Sequence, residues 1–305
     1  LTLSTNAAGT LNVGGNWTRG SAGTITQNSR AIRFFGSTLQ TITKTGGETL
    51  GNVVVDKSGQ KLELGSNLTI EGTLAIDNGT FDVGTKALVL NDQVTRGSGG
   101  SLTSDATGVV LYNKSSNDQT VITANYGNLT FSNFNKTLPS SGVIGVAGDF
   151  TPGTASGHTI TGSTIEFNGA GAQTVPEFNY HNLTVTGSRS NNNITLATGT
   201  IGVAGNFTTS GATNIGAYVV TGNMVDFNGT SSQSIDPFNF NNLRISGSKG
   251  NGTITLGTGT IRVNGDFTAS ASQVGSFVTT GNTVEFTGSD ASNSMAISKI
   301  GRAHV

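Results

Sequence analysis

The chain has 305 residues, with 45 glycines, 4 prolines, no cysteine, 11% charged residues and a net charge of -1. Near-zero charge gives no cluster of Lys and Arg for nucleic acid or anionic lipid, and 34% apolar residues is too many for a disordered chain. The lack of cysteine excludes disulfides and thiolate zinc sites, and no run of about 18 apolar residues offers a helical membrane span.

Leu1, Leu3, Leu11 and Val13 already alternate, with no initiator Met and no basic leader, so the chain is expected to begin inside a longer protein. A first copy of a repeated unit occupies about 9–64, with LNVGGNWT from Leu11, RFFGSTLQTI from Arg33, NVVV from Asn52 and LEL from Leu62. The second, at about 65–138, holds VLYNKSSNDQTV from Val110 and YGNLTFS from Tyr126. At about 139–196 the third runs GVAGDFT from Gly145, IEFNGAGAQTV from Ile165 and FNYHNLTVTGS from Phe178. The fourth, at about 197–256, repeats these as GVAGNFT, VDFNGTSSQSI and FNFNNLRISGS, and a partial fifth at 257–290 keeps RVNGDFT and VEFTG. Phe150, Phe207 and Phe267 are equivalent, as are Phe167, Phe227 and Phe286, which gives a period of about 60 residues. Lys299 to Val305, KIGRAHV, has no counterpart in the repeat. It reads as the translation of a sequencing adapter, and 299–305 is set aside from the fold.

Within each copy the apolar residues alternate over short runs, such as Val225 and Phe227 or Leu243 and Ile245, which predicts half-buried strands, six or seven per unit. GTSS, SGSKGNG and TGN supply corner residues. Separate sandwiches would need roughly 100 residues each. The expectation is therefore all-β, a single continuous parallel β-helix over 1–298, right-handed by the usual crossover rule. Coils of roughly 20 residues would put three in each unit, spaced about 4.8 Å apart.

Glu166, Asp226 and Glu285 share a repeat position between inward apolar residues and are expected outward, in a line, as solvated residues too far apart for paired acid chemistry. Asn52, Asn128, Asn182 and Asn242 are expected to satisfy corner backbone, and Asn16, Asp149, Asn206 and Asp266 to serve turns. Trp17 and the recurring phenylalanines read as core. His158 and His181 lack partners at ligand spacing. Thr-x-Thr triplets, as at Thr253 to Thr255, fall at different phases, against a flat ice-binding face. No catalytic, cofactor-binding or metal-binding residue is assigned, and no cofactor is expected.

The blocks F-N-G-x-x-x-Q-[TS]-[IV], N-L-x-[VI]-x-G, I-T-L and G-x-[FW]-T resemble repeats of large secreted bacterial surface proteins, including those exported by the type IX route. The resemblance covers most of residues 9–290. It implies an extracellular or cell-surface spacer or adhesive stalk, with a sorting domain farther along the parent chain. The partners it implies are a cell-surface glycan or a host or bacterial surface protein, without nucleic acid or a membrane span. Alternatives are a carbohydrate-binding or polysaccharide-degrading β-helix and an ice-binding solenoid.

Overall fold

The computed structural model describes residues 1–5 and 9–288, and the KIGRAHV tail lies outside them. Among the described residues every helix or strand is a β-strand, and the ladders within each unit are parallel. Two compact units divide the chain, Leu1–Thr161 and Gly162–Val305.

The first unit winds as a β-solenoid. Leu11 pairs with Ile32, Ile32 with Val53, Val53 with Leu74 and Leu74 with Val94, so the chain returns to the same ladder once per turn. A second ladder stacks Glu48–Leu50, Leu68–Ile70, Ala87–Leu90, Val109–Tyr112, Asn128–Phe131 and Phe150–Thr151. A third side carries Gln40–Lys44 and Leu62–Leu64 and then the far half of Leu74–Asp82, where Leu62 pairs with Phe81. Parallel pairing follows from the winding, because each strand meets its neighbour only after the chain has completed a turn in the same direction.

In the second unit most strands pair with the third strand after them. Thr164–Phe167 pairs with Asn182–Ser188, which pairs with Phe207–Thr213. Gln173–Val175, Ile194–Leu196 and Tyr218–Val219 form another ladder. The longest runs through Phe178–Tyr180, Gly199–Val203, Asn223–Phe227, Asn242–Ile245 and Phe267–Ala269. A turn is thus three-sided. Its length varies: Ile165 stacks on Leu183, whereas the next step of the same ladder, from Leu183 to Phe207, takes in more of the chain.

The core follows the alternation. Ile165, Phe167, Leu183, Val185, Val225, Phe227, Leu243 and Ile245 are buried, and of the residues between them Glu166, Thr184 and Arg244 are half-exposed while Asp226 is covered. Each such side chain contributes about 1.5 to 3 kcal/mol on burial. Phe150 and Phe207 are buried with Phe167 and Phe227, while Trp17, Phe267 and Phe286 are half-buried. Rings from different strands meet edge to face in the core, as Phe227 does on Phe240 with centroids 6.3 Å apart.

Candidate functional site

Glu166, Asp226 and Glu285 do not form a line. Thr164–Phe167, Asn223–Phe227 and Asn282–Phe286 belong to three different sheets, so the three carboxylates leave the turn on different sides. Alternation in a sequence separates inward from outward and is silent on which side of a turn a strand occupies. Nor is Asp226 solvated, at 3% exposure. Its Oδ2 accepts from Nη2 of Arg244 at 2.9 Å and from Oγ of Ser246 at 2.8 Å, both one turn on. Glu166 accepts from the Thr186 hydroxyl, and exposed Glu285 pairs with Nε of Arg262 at 2.8 Å. Each acid is used within its own neighbourhood of turns.

The recurring asparagines are corner residues, as expected. Oδ1 of Asn128 accepts from the backbone N of Asp149 at 2.8 Å, Asn182 from Asn206 at 3.0 Å, Asn242 from Asp266 at 2.8 Å and Asn52 from Thr73 at 2.9 Å. Leu129, Leu183 and Leu243, the residues after three of these asparagines, donate their backbone N–H to the carbonyls of Asp149, Asn206 and Asp266. The N-L and G-[DN]-F motifs are therefore vertical neighbours, two halves of one seam between successive turns. Asn16 does the same for the backbone N of Thr41 at 3.0 Å.

A second device was not singled out in the sequence. Lys57, Lys136, Arg189 and Lys249 are at most 1% exposed, and none is in an ion pair among the described residues. Lys249 Nζ donates to the carbonyls of Phe227 at 2.9 Å and Gly229 at 2.8 Å, and to Oε1 of Gln233 at 2.7 Å. Gln233 receives Gly229 N–H on the same oxygen at 3.0 Å and donates through Nε2 to the carbonyls of Val203 at 2.9 Å and Gly205 at 3.1 Å. One cation and one amide so stitch three successive turns.

The arrangement recurs. Lys57 Nζ donates to Oε1 of Gln40 at 2.6 Å and to Thr38 O at 2.7 Å, and Gln40 Nε2 reaches Val13 O and Gly15 O at 2.9 and 2.7 Å. Arg189 places its guanidinium on Gln173 Oε1 and Phe167 O. Lys136 is a variant that turns back to Ser132 Oγ and Phe134 O, while Gln119 keeps its bonds to Leu90 O and Asp92 O. A detectable signal existed: a Lys or Arg follows the glutamine of this block at nearly constant spacing in all four copies, as Gln40 and Lys57, Gln119 and Lys136, Gln173 and Arg189, and Gln233 and Lys249. A lone cation in a Gly/Ser segment ordinarily reads as solvated.

Burial pushes the Lys136 and Lys249 ammonium groups down to about 8, and Lys57 and Arg189 are lowered by the same cause. An ordinary lysine titrates near 10.4. Between about 8 and 10.4 the folded protein sheds protons that the unfolded chain retains, so stability rises with pH across that window. Buried tyrosines act in the opposite sense. Burial raises Tyr112 to about 12 and lifts Tyr126 and Tyr180, so above about 10 the unfolded chain ionises first and stability falls. The expected urea midpoint therefore climbs from about pH 8, peaks near 10 and declines beyond it. A midpoint that falls steadily from pH 8 upward would contradict the buried ammonium groups.

His158 accepts the Lys136 backbone N–H on Nδ1 at 2.9 Å, and burial lowers its imidazole. Among the described residues no three His, Cys, Asp or Glu side chains converge as metal ligands, and no helix is long and apolar enough to cross a membrane. What the polar groups do is hold turns together. No family model matches the chain, and neither the curated proteins nor the solved structures give a match.

Proposed function

We propose that the chain is a structural or adhesive stalk segment of a large extracellular bacterial surface protein, and that it performs no catalysis. The observation that carries this reading is the distribution of equivalent segments among the sheets. On the proposed repeat unit, Thr164–Phe167 to Asn223–Phe227 is a step of eight strands rather than the six or seven expected. With three strands to a turn, eight strands make two and two-thirds turns, and each copy begins on a new side. A right-handed winding is part of the proposal, from crossover chirality.

This precession supports the stalk reading over the alternatives. An ice-binding face needs like residues stacked in flat columns, and a polysaccharide groove needs acids gathered on one side. Here the repeat distributes equivalent side chains around the turn instead. What is common to the copies is the inward and inter-turn chemistry, which makes length and rigidity. Adhesion would then rest on a cell-surface glycan or a surface protein met by the flank of either solenoid unit or by neighbouring parts of the parent protein.

The test applies the purified chain to glycan arrays, to whole bacterial and host cells, and to a panel of polysaccharides. No release of oligosaccharide and no thermal hysteresis are expected. Reproducible polysaccharide cleavage, lost on substituting a described carboxylate, would overturn the reading.

A further inference from the structure

The chain contains five Asn-Gly steps, at Asn78, Asn168, Asn228, Asn251 and Asn264. In four of them the glycine N–H is engaged elsewhere. Gly169 and Gly229 donate to the buried Oε1 of Gln173 and Gln233 at 2.9 and 3.0 Å, Gly252 to Lys249 O at 2.7 Å and Gly265 to Asn241 O at 2.7 Å. Gly79 differs. Its N–H donates to Oδ1 of the preceding Asn78 at 3.1 Å, in an exposed position. The amide nitrogen is thereby held beside the side-chain carbonyl of its own neighbour.

The surroundings favour rearrangement. Register slips on both sides of this point, between Val55 and Asp56 on one neighbouring strand and between Arg96 and Gly99 on the other. Gly79 has φ of 76°, a left-handed conformation open to glycine at little cost. Asn78 thus sits at an irregular corner, whereas the N–H groups of Gly169 and Gly229 are pinned by the same glutamines that receive the buried cations.

We propose that Asn78 is a site of spontaneous, backbone-assisted deamidation, selected from the five by this geometry. The Gly79 nitrogen attacks Cγ of Asn78, so that an N–Cγ bond forms and the Cγ–Nδ2 bond breaks. The amide proton passes to a base in solvent, and the departing nitrogen takes a proton from water and leaves as ammonia. Water then adds to either carbonyl of the cyclic imide and opens it, to aspartate or to isoaspartate. One water enters and one ammonia departs, a gain of about one dalton. The product carries a new negative charge next to Asp77 and in register with Asp56. Isoaspartate also adds a methylene to the main chain at the corner.

The experiment holds the purified full chain in warm, mildly alkaline buffer and follows timed peptide maps with an isoaspartate-specific readout. Asn78 is expected to react at least about tenfold faster than the other four, because the reacting atoms are already in reach. In chain unfolded by denaturant the five should react at similar rates. An Asn78→Asp variant should lack the early mass gain. The proposal is overturned if another of the five keeps pace with Asn78 in the folded protein, if Asn78 reacts only after unfolding, or if Asn78→Asp leaves the early gain intact.

Discussion

Replacing Gln233 by Leu is expected to lower folding stability by about 3 to 5 kcal/mol, the range for removing one partner of a buried charged network. The substitution leaves Val203 O and Gly205 O without the Nε2 donor, Gly229 N–H without its acceptor, and the Lys249 ammonium with two carbonyls. A buried polar group left unmatched costs about 1 to 3 kcal/mol, more when charged. Lys249→Met should be costly too, but Gln233→Leu combined with Lys249→Met should lose much less than the sum of the single losses, since charge and ligand leave together. Lys249→Arg should be the mildest, because Arg189 already fills the equivalent place over Gln173. Urea midpoints of the four variants check this. Strict additivity would show that cation and amide act independently.

Gly127→Ala should be at least as damaging, by roughly 3 kcal/mol or more, through overlap with the backbone of the preceding turn. A Cβ at Gly127 would overlap the carbonyl oxygen of Asp105, with Gly108 O also within 2.7 Å. The segment Ser104 to Gly108 cannot withdraw cheaply. Gly127 N–H donates to Ser104 Oγ at 2.6 Å, and Asn128 N–H to Gly108 O at 2.7 Å. Gly20→Ala is the control, because a Cβ there meets nothing within 4 Å. It should shift stability by no more than about 1 kcal/mol. Equilibrium unfolding of both variants separates a steric role from a general loss of glycine, and equal effects would refute the steric one.

Much of the fold was legible in the residues. The inward run of Val225, Phe227, Leu243 and Ile245, the Asn corners and the stacking of parallel turns all followed from period-two alternation broken by Gly, Asn and Ser. Which side each strand occupies was not legible. Stacking Glu166, Asp226 and Glu285 would need a whole number of turns between them, but Thr164–Phe167 and Asn223–Phe227 lie eight strands apart on a winding of three strands to a turn, and turn length itself varies, from the short step between Ile165 and Leu183 to the longer one between Leu183 and Phe207. Asp226 was expected to be solvated and is buried instead, because its cover comes from Arg244 and Ser246 one turn later, a contact that no local pattern encodes. The buried lysines were missed for a related reason: their partners are main-chain carbonyls of other turns, which carry no side-chain signature.

The pairing of each segment with the one a single turn away also bears on how either unit acquires its structure. Parallel sheets are ordinarily slow to form because distant parts of a chain must meet, but here every closure spans a short loop and reuses the same small entropy cost. Growth can start at any well-packed rung and advance in both directions, as a crystal extends from a seed. Removing whole rungs from an end should then lower the unfolding enthalpy in proportion and leave the remainder assembled.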